Sequence, residues 1–180
     1  MLKPRFLTLL AITLAAAMSR LLPHPPNFAP IAAMALFGGC YFPGKRTAFA
    51  IPLAAMCLSD LALGYGFHPM LPFVYGSFTL IVCLGLWLRR RRTTLTIGAA
   101  AFTSSVLFFV ATNFAVWLLT DLYPLTLEGL VRCYMMAIPF FRNTLVGDAF
   151  YTFALFGGFA LAQTLFPALR VSEATAPARA

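Results

Sequence analysis

The sequence predicts an all-α membrane protein: a bundle of six transmembrane helices, with a short interfacial or re-entrant helix between spans five and six. Three observations carry this. Of 180 residues, 61% are hydrophobic and only 10% charged, too apolar for a soluble domain of this length to hide in one core. Apolar runs close to the ~20 residues that cross a hydrocarbon layer recur along the chain. Lysine and arginine gather at every second boundary between those runs.

The expected spans are Phe6–Leu22, Phe28–Phe42, Thr47–Leu63, Met70–Leu88, Thr94–Leu119 and Leu145–Phe166. In the first, Ala11, Ala15 and Ser19 repeat at four-residue spacing, a small face that lets another helix approach, either within the bundle or from a separate subunit. The same start, Lys3 and Arg5 before "FLTLLAITLAAAMS", also reads as a secretory signal peptide cut near Ala17, which would leave five spans in the same orientation. Span two is short and carries Pro30 near its start, so it tilts little or has an unwound end. Between spans five and six, "PLTLEGLVRCYMMAIPFF" places Leu127, Leu130, Val131, Tyr134, Met135 and Ile138 at helical spacing, with Glu128 and Arg132 as an i, i+4 pair. Pro139 closes this segment before it is long enough to span, so a helix lying at the outer surface or dipping partway in is expected. One membrane domain covers residues 1–168, and 169–180, with "VSEATAPARA", forms a disordered cytoplasmic tail.

With the N-terminus inside, ten basic residues lie at cytoplasmic ends and three, Arg20, Arg132 and Arg142, on the outer side. Both termini are then cytoplasmic, in a multi-pass protein of the bacterial inner membrane. The net charge of +8 is mostly this topology signal, and "RRRR" at 89–92 gives no reason to expect nucleic acid.

Polar residues distribute unevenly. Asp60, Asp121, Glu128 and Asp148 fall in or near the outer half, with His24 and His68. A charge within a span costs about 2.5–3.5 kcal/mol on insertion scales, so Asp60 and Asp148 need partners or a function. Arg142, with Asn143 beside it, is the candidate partner on span six; it precedes Asp148 by six residues, so the two point across the bundle rather than pair. The loop in "DLALGYGFHPMLPFVYGS" offers Tyr65, Phe67, His68 and Tyr75, suited to stacking on and hydrogen-bonding a flat ligand. Belt anchoring is the alternative for Tyr65 and Phe67, helix stapling for Asp60 and Arg142, and a solvated turn for His24. Asn113 is expected to bond between helices. In "RLLPHPPNFAP" the prolines stiffen the first outer loop so that His24 and Asn27 are held over the pocket mouth.

No GxxxxGK[ST], HExxH or GxSxG occurs, and "PGKRT" has the wrong spacing for a phosphate loop. The four cysteines lack metal-like spacing. No catalytic residue, metal or cofactor is expected; an intramembrane enzyme would need His24 or His68 to meet Ser59, which nothing in the sequence pairs.

The stretches "RLLPHPPNFAPIAAMALFGG", "LSDLALGYGFH", "VYGSF", "ATNFAVW" and "IPFFRNTLVGD", spread over residues 18–157, resemble a family of small bacterial membrane proteins grouped with the S components of energy-coupling factor vitamin transporters. The solitary cobalamin importers are the nearest named relatives. The resemblance implies six helices with both termini inside, and an outward pocket roofed by the loops after helices one, three and five. It also implies an alanine face on helix one, here Ala11 and Ala15, that meets an ATP-driven energy-coupling module. It places the pocket near His24, Asp60, Tyr75 and Arg142. It departs where those importers offer a loop cysteine to cobalt, because Met70 stands there.

The expected function is therefore capture of a vitamin-like small solute, a corrinoid among the candidates, from the outer face. Its substrate-binding residues are expected to be His24, Asn27, Asp60, Tyr65, His68, Tyr75, Arg142, Asn143 and Asp148. The alternative is a structural membrane scaffold.

Overall fold

The structure, a computed structural model, describes residues 3–170. Residues 171–180 of the expected tail lie outside the described residues. Leu169 is buried and its carbonyl accepts from Arg5 Nη1 at 2.5 Å, so the packed chain reaches that far.

Among the described residues all regular structure is helical: α1 (Pro4–Ser19), α2 (Ile31–Tyr41), α3 (Lys45–Ala62), α4 (Leu71–Leu88), α5 (Thr94–Leu119), α6 (Leu127–Thr152) and α7 (Gly158–Leu165). A π-turn, Phe153–Gly157, joins α6 to α7, and a 3₁₀ turn, Pro167–Leu169, follows. Three rods, α4, α5 and the 39-residue helix formed by α6 and α7, are long and apolar enough to cross a membrane. The other three fall short of the expected spans for different reasons. α1 has 16 residues and α2 has 11, and α3 carries Lys45, Arg46 and Asp60.

The separate interfacial helix is not formed. Residues 127–141 are the first turns of α6, which runs through Pro139 without ending. Proline removes one hydrogen bond, but long flanking turns and a packed neighbour sustain the helix across it. That neighbour is α5: the Tyr134 hydroxyl donates to the Val110 carbonyl at 2.7 Å, Cys133 Sγ to the Asn113 carbonyl at 3.4 Å, and Phe109 lies against both Tyr134 and Phe141. The segment pairs with α5 instead of lying flat, and its stripe of Leu127, Val131, Met135 and Ile138 faces outward. Glu128 and Arg132 are not an ion pair; among the described residues the one ion pair is Arg20–Asp60. Asn113 bonds its own helix, donating to the Phe109 carbonyl at 2.8 Å.

α2 is the axis of the fold. Every residue from Ala32 to Cys40 is buried, which a helix surrounded by apolar neighbours requires of all its faces. Its paired glycines set two contacts. Gly38 faces Pro52 of α3, and a methyl group on Gly39 would stand 2.9 Å from Gly85 Cα of α4. Backbones touch at this crossing, the packing that small residues permit when no hydrophobic force favours one apolar neighbour over lipid.

At the basic end of the bundle, Arg89 closes α2. Its Nε donates to the Gly39 carbonyl at 2.7 Å and Nη2 to Phe42 at 2.5 Å, satisfying carbonyls that a helix end leaves open. Arg89 is thus a cap as well as a topology signal. Arg89→Ala is expected to cost about 1.5–3 kcal/mol, the worth of hydrogen bonds from a charged donor, read as a lower Tm in detergent. Phe37 and Tyr41 of α2 meet Phe156 and Phe159 beside this cap, with Arg5 Cζ 5.2 Å above the Phe159 ring.

Because α1 and α2 are short, the other end of the bundle has a hollow. Phe108 of α5, which borders it, stands eleven residues before Leu119, so the hollow lies roughly 16 Å below the tip of α5 at 1.5 Å per residue.

Candidate functional site: a recessed polar cavity

The hollow is a cavity of about 240 Å³ lined by Arg20, His24, Asn27, Tyr65, Thr144 and Asp148, with Ile31, Ala32, Leu63 and Phe108 supplying apolar wall. Polar groups from the α1–α2 loop, the α3–α4 loop and α6 converge on it.

The α1–α2 loop forms one wall and is clamped. The Phe28 N–H donates to the Pro25 carbonyl at 3.0 Å, closing a turn with Pro26 and Asn27 at its centre. Asn27 has φ +63°, the left-handed region that asparagine tolerates at the third position of a turn whose second position is proline. α6 then grips the loop: Asn143 Nδ2 donates to the Pro26 carbonyl at 3.0 Å. Gly147 allows Phe28 to approach, its absent Cβ being 3.1 Å from Phe28 Cα. The Phe28 ring packs on Phe150 and Tyr151. His24 Nδ1 donates to the Leu22 carbonyl at 2.6 Å, which leaves Nε2 as the atom free for a ligand.

Arg20 and Asp60 form a second knot behind the cavity. Arg20 Nη2 donates to Asp60 Oδ1 at 2.6 Å, and Nη1 bonds Ser59 Oγ and reaches the Met56 carbonyl at 3.4 Å. The Tyr75 hydroxyl donates to Asp60 Oδ2 at 2.7 Å. Both charged residues are only 6% exposed. The end of α1, α3 and α4 are joined here through one carboxylate whose two oxygens are both engaged.

On the far side of this knot is a crevice of about 560 Å³ under the 63–70 loop, lined by Asp60, Tyr65, His68 and Tyr75 among mostly apolar neighbours. Tyr65 borders both spaces.

Of the nine expected binding residues, His24, Asn27, Tyr65 and Asp148 meet in the recessed cavity, while Asp60, His68 and Tyr75 join Tyr65 in the crevice. Asn143 holds the loop instead of lining either space. Arg142 is exposed, forms no ion pair among the described residues and borders neither, so it is not the partner of Asp60. Arg20 has that place. Its signal was in the sequence: it ends the first helix at the depth where Asp60 ends the third. Ser105, which donates to Asp148 Oδ2 at 2.6 Å, carried no signal of its own. Ala11 and Ala15 are exposed on α1, whereas Ala16 and Ala17 pack inward and the Ser19 hydroxyl meets that of Tyr151, so among the described residues Ala11 and Ala15 are left uncovered.

Fold and cavity together define a helical protein of membrane type, with a small polar recess sunk among its helices and a clamped loop at its rim. The chain belongs to a family of unknown function, DUF6580, whose model matches residues 1–169. No curated protein and no solved structure matches it.

Proposed function

We propose that the protein captures a small, vitamin-like solute at the outer face of the bacterial inner membrane and passes it inward. The observation that carries this reading is the convergence of His24, Asn27, Tyr65, Thr144 and Asp148, from three separate segments, on a recess with an apolar wall. Ligand sites have this composition: apolar lining with a few placed polar groups. Phe108, Ile31 and Leu63 suit a ring, and the carboxylate of Asp148 suits a donor carried on that ring.

Volume narrows the solute. The recess is smaller than the ~300–1,000 Å³ typical of sites for drug-sized ligands. A corrinoid is larger than such ligands, so we take a smaller vitamin or comparable heterocycle as the occupant. Opening the Arg20–Asp60–Tyr75 partition would join recess and crevice and is the route by which a larger solute would enter. The resemblance to S components supports transport, and the exposed Ala11 and Ala15 face of α1 supports docking of an energy-coupling module there.

Mass spectrometry of ligand co-purified with the protein tests the reading. A bound heterocycle is expected from wild type. Asn27→Gly, which keeps the left-handed turn but removes the side chain, is expected to keep Tm and lose about tenfold in affinity, as for one lost hydrogen bond to a ligand. An empty wild-type protein that also binds no thiamin, biotin, flavin or corrinoid would refute capture.

A scaffold role is the second reading, favoured by the saturated Arg20–Asp60–Tyr75 knot, which needs no ligand. It requires Asn27→Gly and Asp148→Asn to leave every uptake phenotype unchanged at equal protein level.

A further inference from the structure

A third space opens between α5 and the α6–α7 rod, about 650 Å³, bordered by Gly98, Ala101, Ser105, Asp148, Thr152 and Gly157. It runs from Arg92 and Tyr41 at the basic end to Asp148, which also borders the recessed cavity from the other side. Asp148 is therefore the one acidic residue that separates the two spaces.

Ser105, Asp148 and Thr152, three oxygen-bearing side chains, line this space. Asp148 is 3% exposed and receives only the Ser105 hydroxyl, with no cation within ion-pair distance among the described residues. Thr152 follows one turn later on the same face of α6. It is 7% exposed, borders the cleft, and its Oγ1 is the only fully buried side-chain polar atom among the described residues without a hydrogen-bond partner. A buried hydroxyl left unpaired is costly and calls for a partner that is not protein. The π-turn begins at the next residue, and such turns inside helices occur frequently at functional positions.

We propose that Ser105, Asp148 and Thr152 bind a monovalent metal cation in this cleft, where Asp148 separates it from the recess. One carboxylate balances one positive charge, and two hydroxyls add hard oxygen ligands of the kind alkali cations take. A divalent ion would want more acidic ligands, and no group of three His, Cys, Asp or Glu able to hold a metal occurs among the described residues. The charged and titratable groups that face Asp148 through the two spaces are Arg20, His24 and Tyr65 on one side and Arg92 and Tyr41 on the other. Arg92 precedes Ser105 by thirteen residues, the last eleven of them steps along α5 from Thr94, so its backbone stands roughly 16 Å away along the helix axis. At that distance it guards the basic mouth against cation leak without occupying the site. The cation site stands without any assumption about the solute; only its coupling to transport, through the charge at the cavity floor, rests on the function proposed above.

The test is thermal unfolding of the full chain in detergent, at constant pH and ionic strength, in NaCl, KCl or choline chloride, with equilibrium dialysis of ²²Na⁺ beside it. An alkali cation is expected to raise Tm saturably where choline does not. Asp148→Asn should abolish the response. Thr152→Val, nearly isosteric, should raise Tm in choline by removing the unpaired hydroxyl, yet weaken cation binding roughly tenfold. Equal Tm in all three salts with no ²²Na⁺ retained, a response to pH alone, or a Thr152→Val protein that titrates like wild type would each overturn the assignment. Solute binding is measured separately in choline, so loss of one property is not mistaken for loss of the other.

Discussion

Arg20→Ala is expected to lower stability by about 3–5 kcal/mol, because it leaves the Asp60 carboxylate buried and uncompensated. Asp60→Ala should cost a similar amount by stranding the guanidinium. Arg20 would keep its bonds to Ser59 and to the Met56 carbonyl and sulfur, and the Tyr75 hydroxyl would lose its acceptor. The favourable energy of such a pair is small once desolvation is subtracted, so replacing the whole knot behaves differently from breaking it. Arg20→Met combined with Asp60→Leu and Tyr75→Phe should return Tm to near the wild-type value, or above it. Thermal unfolding of the singles and of the triple variant in one detergent reads this non-additivity directly. If each single change cost under about 1 kcal/mol, the range of exposed pairs, the ion pair would not be holding α1 to α3 and α4.

The second large effect lies at the α2–α4 crossing. Gly39→Ala is expected to cost more than the ~1–3 kcal/mol typical of overpacking, since the added methyl meets backbone, which cannot rotate away. It would stand 2.9 Å from Gly85 Cα, and the reciprocal Gly85→Ala would press on Gly39 Cα at the same distance. Gly98, with nothing near its missing Cβ, is the control: Gly98→Ala in the interior of α5 should be neutral or gain up to about 1 kcal/mol. Size-exclusion of detergent extracts should show Gly39→Ala largely aggregated and Gly98→Ala as a single peak.

Much of this architecture was legible because apolar runs and charge boundaries are local properties. Thr94–Leu119 is α5 as expected, and Met70–Leu88 differs from α4 by one residue. The misses come from tertiary context. Pro139 reads as a stop in isolation, yet α5 packs along residues 127–141 and carries the helix through. α2 looks like a span but is a short buried axis, and only its paired glycines hinted that neighbours press on every side. In the site, hydropathy marked Asp60 and Asp148 as residues needing partners, and both have them. Which partner depended on helix adjacency, which sequence order does not supply: Arg142 is six residues from Asp148 yet pairs with neither carboxylate among the described residues, while Arg20, forty residues from Asp60, pairs with it. Ser105 and Thr152 are hydroxyls in apolar helices, where bonding to their own backbone is the ordinary outcome, so neither stood out.

The cavity beneath the 20–30 loop is expected to open to the outside of the cell. Single cysteines at Asn27, at His68 and, as the opposite pole, at Arg90 would be introduced with the four native cysteines replaced by alanine. They are then labelled with a membrane-impermeant maleimide in intact spheroplasts. Asn27→Cys and His68→Cys are expected to label from outside and Arg90→Cys only after permeabilisation. Labelling of Arg90→Cys from outside, with the other two protected, would contradict this orientation.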